Sequence, residues 1–213
     1  MTKEKIRNTT SQFVFAMGVN NVLDAHQLNS LEVSEYQFWR SRFYEVGLTW
    51  KTKKKKKDNP LYVTYGISFL WNNLRPKNNQ QHVRNENMTT LATRIDEVLS
   101  ESRLRHVQMI FPVHMEWDFS RSNKSSKKPV RIGVGAFLGF KLGTRQYLAY
   151  RDIEGIDIEE VQYDNFNMNT LNYGLSAYTG YKAASLYVKY DMNPLFKNTK
   201  IRNISLGVRL DLN

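Results

Sequence analysis

The chain contains no cysteine, only five prolines, and no apolar run as long as a membrane-spanning helix. The lack of cysteine excludes a disulfide framework and thiolate metal sites. A membrane helix needs about 20 predominantly apolar residues in succession, so helical spans are excluded as well. Residues 1–10 are polar and basic, without the apolar segment of a secretion signal. If the protein is exported, we therefore expect this chain to be its mature form.

Positive charge and aromatic residues are both abundant. The net charge is +11, and the chain has 12 Tyr, 11 Phe and 4 Trp. Such a charge is typical of proteins that bind nucleic acid or other acidic surfaces. The mean hydropathy is negative, as in a soluble protein. A membrane β-barrel has a similar composition, because only every second strand residue meets lipid.

The dominant pattern is a strict alternation of apolar and polar residues, which predicts β-strands and not helices. Several segments reach the length of about 9–11 residues that a tilted strand needs to cross a bilayer. Pro112 falls within one of them, and we expect it to interrupt the backbone ladder or to mark a bulge. Eight segments alternate in this way: 12–19, 42–51, 61–72, 105–119, 130–143, 171–181, 185–192 and 203–212.

Alternation alone does not say which face of a barrel points inward, because a soluble lipid-binding barrel has its apolar face inside. We expect the apolar face to point outward here, for three reasons. The apolar stripes are almost free of charge, and ten of the eleven glycines lie on the opposite face, where they would save space inside a narrow barrel. Aromatic residues also cluster near both ends of the strands, as in membrane barrels: Trp50, Trp117, Phe119 and Tyr181 at one end, Trp71 and Tyr190 toward the other.

The segments that join the predicted strands alternate between long and short. Residues 20–41, 73–104 and 144–170 are long, whereas 52–60, 120–129 and 182–184 are short and 193–202 is intermediate. The pattern predicts an all-β, eight-stranded, antiparallel, up-and-down transmembrane barrel with long extracellular loops and short periplasmic turns. An even strand number places both termini in the periplasm. We expect a polar N-terminal segment at 1–11 and the outer-membrane barrel at 12–213.

The last third of the chain resembles a known family. The stretches Gly174–Tyr178, Leu186–Phe196 and Ile204–Leu210 are similar to the last three strands of Bacteroidetes outer-membrane β-barrel proteins, the porin-like or PorT-like family. Over the rest of the chain the similarity is loose. The resemblance implies a barrel in the cell outer membrane, and PorT-like members are associated with type IX secretion. It implies no catalytic residues.

Charged residues on the predicted inward face carry mixed signs, and we expect them to pair inside the barrel. Three of them, His114, Glu116 and Asp118, share one strand face and are an alternative metal or acid–base site. The interior-network interpretation is favoured, with no cofactor or metal. The predicted network contains Glu45, His114, Glu116, Asp118, Arg131, Lys141, Lys189, Arg209 and Asp211.

Two further motifs lie in the predicted connections. Acidic residues alternate with Ile and Tyr in the third long loop and suggest a surface for a protein partner, although a solvated hairpin or a cation site is also compatible: Asp152, Glu154, Asp157, Glu159, Glu160 and Asp164. The run Lys53–Lys57, with Lys51 beside it, lacks interleaved aromatic residues. We expect it to be a solvated turn or a contact with phospholipid head groups, and no nucleic-acid partner. Arg121, Lys124, Lys127 and Lys128 in the next short turn would add to such a contact.

The functional hypothesis from sequence is a non-enzymatic barrel, surrounded by outer-membrane lipid, that is a structural or interaction subunit of an outer-membrane or secretion-related assembly. Three features support this hypothesis: the expected interior is narrow, no catalytic combination of residues is evident, and the predicted loops are long and rich in charged and apolar residues. Three alternatives remain open: a small passive channel, a soluble lipid-binding barrel, and a lipid-modifying barrel enzyme.

Overall fold

The computed structural model describes residues 9–24, 31, 34–53, 60–119 and 130–212. These ranges contain eleven β-strands, and none of them forms a helix long and apolar enough to cross a membrane. The strands are β1 (Thr9–Asp24), β2 (Arg42–Lys53), β3 (Leu61–Leu74), β4 (Gln80–Arg84), β5 (Thr89–Thr93), β6 (Leu99–Asp118), β7 (Val130–Arg151), β8 (Asp157–Tyr163), β9 (Leu171–Tyr181), β10 (Ala184–Asp191) and β11 (Ile201–Leu212).

Eight of these strands form a closed antiparallel ring. The hydrogen-bonded order is β6-β3-β2-β1-β11-β10-β9-β7, and a further pairing of β6 with β7 closes it. The first and last strands of the chain are neighbours, with Phe13 opposite Leu212. The predicted all-β, eight-stranded, antiparallel barrel is therefore confirmed. Closure gives every strand of the ring two hydrogen-bonded neighbours and leaves no free edge in the ring.

The strands run alternately up and down, so the barrel has two distinct ends. The turn end holds both chain ends of the described barrel, Thr9 and Leu212, and the connections β2–β3, β6–β7 and β9–β10. The loop end holds the connections β1–β2, β3–β6, β7–β9 and β10–β11. Of the turn-end connections, residues 54–59 and 120–129 lie outside the described residues, and so do Lys54–Lys57 and the four basic residues of the second turn.

The outer face of the barrel is apolar and the inner face is polar. Outward side chains are substantially exposed, for example Met115 (53%), Leu175 (52%) and Leu206 (45%). The alternate positions on the same strands are buried and largely hydrophilic, and they include Glu116, Ser176 and Ser205. This is the facing expected from the alternation of the sequence, and it is the reverse of a soluble protein, whose apolar residues are mostly inside.

Three irregularities modify the ladders of the ring, and one of them is a register shift between Leu99 and Glu101 at the loop end. The ladder between β3 and β6 is interrupted where Pro112 lies opposite Gly66, as expected for a residue without a backbone N–H. At a register shift between Val107 and Gln108, β7 contains one extra residue, Leu142. From Gly143 to the loop end of β7, the side chains that face inward and outward are therefore exchanged relative to the alternation before the bulge. Gly143 consequently lies on the exposed side of β7 and not inside, so the expectation of ten inward glycines was wrong by one.

The loop end is more regular than the sequence predicted. Strand β7 continues to Arg151 and pairs with β8 as a hairpin, within what was expected to be the loop 144–170. Strands β4 and β5 form a second hairpin. Between these elements and the mouth of the barrel lies a small hydrophobic cluster, which we term the loop-end cap: Val22, Tyr36, Leu74, Leu104, Phe166, Met168, Leu195 and Phe196.

Candidate functional site

The interior near the turn end is built around Lys51. Its Nζ atom lies 2.5 Å from Oε1 of Glu116 and 2.6 Å from Oδ2 of Asp118, and it sits 4.3 Å from the centre of the Tyr62 ring. The hydroxyl of Tyr178 donates to the other oxygen of Glu116 at 2.5 Å. Lys51 was expected to belong with the basic turn, and this was wrong. Lys51 lies six residues from Glu45 on β2, and residues an even number apart on a strand share a face. The sequence therefore already indicated that Lys51 faces inward with Glu45.

Two arginines share one carboxylate on the same side of the interior. The guanidinium of Arg209 donates to Oδ1 of Asp211 through Nε at 3.0 Å and Nη2 at 2.8 Å. Arg131 Nη2 pairs with the other oxygen, Oδ2. Arg209 also stacks over Tyr178, with 4.6 Å between the guanidinium carbon and the ring centre. Because both oxygens of Asp211 are engaged, these three charges form one compact cluster that joins β7 to β11.

A third ion pair lies closer to the middle of the barrel. Lys189 Nζ is 3.2 Å from Oε2 of Glu45, and both side chains are almost fully buried. The hydroxyl of Tyr187 donates to the same carboxylate oxygen at 3.4 Å. Lys189 also lies 4.5 Å from the ring centre of Phe137. A buried charge without a partner would be costly, so this arrangement keeps both charges inside the ring.

Large side chains fill the space that the charges leave. Tyr62, Leu70, Phe137, Tyr178 and Tyr187 are all at most 6% exposed. Two of the rings occupy the places of missing side chains: a Cβ on Gly133 would overlap the ring of Tyr178, and one on Gly174 would crowd Phe137. Glycine is needed at these positions because the aromatic ring on the neighbouring strand lies directly against the backbone.

The row His114, Glu116, Asp118 is not a combined site. The two carboxylates bind Lys51, whereas Nε2 of His114 lies 2.8 Å from Oγ of Ser176. A serine beside a histidine has the geometry of a nucleophile and its base. Both side chains are buried in the filled interior, however, with exposures of 1% and 4%. Among the described residues, no group of three or more His, Asp and Glu side chains is placed to hold a metal ion.

Lys141, which was predicted to join the interior network, has an inward position on β7, but its side chain extends to the rim of the barrel. Its Nζ atom donates to Oδ1 of Asn165 at 2.7 Å and to the carbonyl of Met168 at 3.2 Å, at the rim of the loop end. Lys141 lies opposite buried Gln108 and keeps the inward parity of β7, because the extra residue of the bulge, Leu142, comes after it. The position of Lys141 at the rim therefore reflects its height along the barrel and the neighbouring loop residues, not a change of facing.

The interior beneath the loop-end cap is lined by neutral amides and was not foreseen. Asn72 lies between Asn20 (3.3 Å) and Nε2 of His106 (3.0 Å). On the other side of the barrel, Asn172 donates to Asp191 Oδ2 at 3.0 Å. These residues occupy inward positions of the alternating pattern, so their parity on the strands already indicated that they face the interior. They hydrogen-bond across strands and leave the interior polar up to the cap.

The acidic residues of the third long loop lie on and around the β7–β8 hairpin. Asp152 Oδ1 accepts from the backbone N–H groups of Glu154 and Ile156, both at 2.9 Å, and shapes the tip. The others lie along the hairpin, where most have separate cationic or hydroxyl partners: Asp157 with Arg151, Glu160 with Arg94, Asp164 with Arg84, and Glu159 with Tyr147. They do not converge on one point, which argues against a cation site. Ile153 is 96% exposed at the tip.

The aromatic residues occupy outward positions toward the two ends. Near the turn end, Trp50 stacks on Tyr65 with 5.9 Å between ring centres, Trp117 lies opposite Leu61, and Tyr181 lies opposite Val130. Phe119 directly follows the last residue of β6. In the half of the barrel nearer the loop end, Trp71 lies opposite Tyr44 and Tyr190 lies opposite Ile204.

The chain matches no protein-family model and no curated protein. The similarity of its last three strands to Bacteroidetes outer-membrane barrels therefore remains a resemblance. Three structural features characterise the candidate site. The exterior of the barrel is apolar, the interior is filled and its charges are paired, and the loop end is structured.

Proposed function

We propose that this protein is a non-enzymatic β-barrel of the bacterial outer membrane, with its termini on the periplasmic side, that acts as a structural or interaction subunit of a larger membrane assembly. The observation that carries the proposal is the facing of the closed ring. Apolar side chains point outward on every strand of the ring, and ion pairs such as Glu45–Lys189 lie inside.

An aqueous environment does not account for this facing. Soluble monomers rarely expose contiguous apolar patches larger than a few hundred Å². Here apolar side chains of β6, β7, β9 and β11 are each more than a third exposed at successive outward positions, and β1, β2, β3 and β10 contribute others. Lipid is the surrounding that favours such a surface, and closed antiparallel barrels with aromatic residues toward both ends are typical of outer membranes.

The filled interior supports a role at the surface of the barrel. Tyr178, Tyr187 and Phe137 occupy the lumen together with the paired charges, and the loop-end cap lies above them. This leaves little room for a passive channel or for a substrate at the His114–Ser176 pair. The β7–β8 hairpin, by contrast, presents exposed Ile153 and Ile156 among acidic residues. We propose that the hairpin contacts a protein partner, in an assembly related to secretion as the family resemblance implies.

Membrane fractionation and folding in detergent test the proposal. The chain, supplied with a cleavable export signal in a Gram-negative host, is expected in the outer-membrane fraction. After purification it should need detergent or lipid to remain monodisperse, and its mobility on a denaturing gel should change on boiling as the closed barrel unfolds. A folded monomer that stays soluble in buffer without detergent or lipid would overturn the membrane assignment.

A further inference from the structure

Arginines from three strands of the barrel lie side by side on its outer face near the loop end. Arg105 on β6 is the direct cross-strand partner of Arg145 on β7. Arg42 on β2 and Arg105 both lie opposite Asn73, which separates them on β3. Arg103 follows two residues from Arg105 on the same face of β6. We term Arg42, Arg103, Arg105 and Arg145 the arginine cluster.

The four arginines of the cluster have fewer carboxylates around them than their own charge requires: Glu101 lies beside Arg103, and Glu159 is engaged by Tyr147 at the edge of the cleft. Glu101 is shared between Arg75 at 2.9 Å and Arg103 at 3.4 Å. Arg105 Nε donates to the neutral oxygen of Asn73 at 2.8 Å. Within the described residues, neither Arg105 nor Arg145 forms an ion pair with a carboxylate. Like charges directly opposite each other on neighbouring strands are destabilising, so this row of guanidinium groups calls for an anion from outside the chain.

The electrostatic surroundings of Arg75, which follows β3, show the same excess of positive charge. Partial burial lowers the pKa of Arg75 and Glu101 opposes this, whereas the neighbouring Arg40, Arg103 and Arg42 lower the pKa further. An anion placed among these groups would therefore relieve repulsion between several cations at once.

A cleft lies between the arginines and has the size and lining for a small anion. Its cavity volume is about 120 Å³, and Arg103, Arg105 and Arg145 line it together with Tyr147 and Val161. The guanidinium of Arg103 lies 5.2 Å from the centre of the Tyr147 ring, which holds it at the edge of the cleft. Planar guanidinium groups bind phosphate through paired hydrogen bonds, which a cleft with three of them permits.

The position of the cluster along the barrel points to a lipid. The next outward-facing positions on these strands, two residues closer to the middle of the barrel, are Tyr44, Trp71 and Val107. The next step reaches Phe69, which is 45% exposed. Trp and Tyr mark the boundary between hydrocarbon and head groups. The arginines thus lie where the phosphates of lipid head groups are found.

We propose that the arginine cluster binds the phosphate of a lipid head group in the leaflet at the loop end of the barrel. This inference rests on the proposed membrane function. The lipid is held by charge and by paired hydrogen bonds from Arg105 and Arg145, while its chains lie against the apolar exterior below Trp71. Bound lipid would also stabilise the barrel, because its negative charge offsets the repulsion between arginines that face each other.

The experiment compares lipid binding by two variants of equal charge. Wild-type protein, Arg105→Gln/Arg145→Gln, and the matched control Lys197→Gln/Lys200→Gln are reconstituted into phosphatidylcholine nanodiscs doped with lipid A, and retained lipid is counted by native mass spectrometry. Lys197 and Lys200 are exposed on the β10–β11 connection, away from the cluster. We expect wild type and control to retain lipid A alike, and the arginine variant to retain at least tenfold less.

A stability measurement provides a second readout that does not depend on counting lipids. In neutral detergent without phosphate, Arg145→Gln should unfold at higher urea than wild type because repulsion is relieved. With lipid A added, wild type should become the more stable protein. The inference fails if both double variants retain lipid A equally, or if inorganic phosphate displaces it at equimolar concentration, which would assign the cleft to the free anion. Insertion into phosphatidylcholine alone tests the membrane proposal separately.

Discussion

The Nζ atom of Lys189 lies 3.2 Å from Oε2 of Glu45, and the two side chains come from strands three positions apart around the ring. The pair therefore spans the interior and does not merely follow the sheet. Together with the ion pairs of Lys51 and Arg209, this pair fills the lumen with charged side chains whose positive and negative charges nearly balance. Inside a ring this narrow, such balance is a condition for folding as much as a functional feature.

Removing one partner of this pair should destabilise the barrel more than removing both. Glu45→Met leaves Lys189 buried without its counter-charge, and we expect a loss of about 3–5 kcal/mol in the free energy of unfolding. The double variant Glu45→Met/Lys189→Met should recover most of this loss, since two apolar side chains replace two charges. Reversible urea unfolding in lipid vesicles measures all three. Additive losses in the double variant would show that the pair is not coupled.

Arginine on the outer face should impair folding in lipid. Leu206 and Phe111 lie in the middle of their strands and are 45% and 37% exposed. Leu206→Arg or Phe111→Arg is expected to cost about 2–4 kcal/mol in vesicles, the range for a lipid-facing arginine near the midplane. Ile153→Arg at the hairpin tip is the control and should be tolerated. Equal tolerance at all three positions would mean that the outer face does not meet lipid.

The ring itself was predictable because period-two alternation specifies both a strand and its facing. Leu206, Val208 and Leu210 alternate with Ser205, Gly207 and Arg209, and this parity alone placed Arg209 inside. The charges of β10 and β11 were placed correctly for the same reason. Where the parity of a strand is unbroken, the sequence therefore carries enough information to say which side chains meet inside the barrel.

The errors arose where tertiary contacts override the local pattern. The bulge at Leu142, opposite Val107 and Gln108, moved Gly143 to the outer face, whereas parity alone had assigned Gly143 to the interior. Lys51 was hidden by the adjacent lysine run, although its parity was inward. The hairpin of β7 and β8 and the loop-end cap depend on contacts between distant segments, such as Tyr36 with His82, which a single sequence does not display.

The loop-end cap should open as the pH falls below the pKa of a free histidine. The hydroxyl of Tyr36 lies 2.8 Å from Nε2 of His82, and Gln146 binds the same residue. Burial lowers the pKa of His82 to about 4, from 6.5, and the hydrogen bond to Gln146 only partly opposes this. The folded cap thus holds neutral His82, so its stability is full above pH 6.5 and declines as the pH falls toward 4.

At pH 5 the expected loss is about 2 kcal/mol, from the difference between the two pKa values. The protection factors of the β4 amides, corrected for the fall of the intrinsic exchange rate with pH, should drop about 30-fold between pH 7 and 5. The protection factors of amides in the middle of the ring should change less. His82→Gln removes the titrating ring and should flatten this dependence, although it weakens the cap at every pH. If the β4 protection factors of the variant still fall by the same factor between pH 7 and 5, the assignment to His82 is contradicted.

Partner binding should depend on the tip of the β7–β8 hairpin and not on its strands. Ile153→Ser/Ile156→Ser removes two exposed apolar side chains but leaves Asp152, which shapes the turn, and Asp164, which pairs with Arg84. We expect this variant to lose cross-links formed from a photoreactive residue at Glu154 in native membranes. Ile95→Ser/Val98→Ser, in the neighbouring turn, is the control. Unchanged cross-linking in the tip variant would remove the hairpin from consideration as the partner surface.

The purified barrel should conduct little or no current. The lumen of an eight-stranded barrel is only wide enough for side chains, and here Tyr178, Tyr187 and Phe137 occupy it while the charges pair across it. Because these side chains and ion pairs cross the lumen, we expect no continuous column of water for ions. Single-channel recording in planar bilayers measures this directly, with a porin of open lumen as the positive control. Stable and reproducible openings from wild-type protein would defeat the filled-barrel interpretation, and a passive channel would then be the better functional assignment.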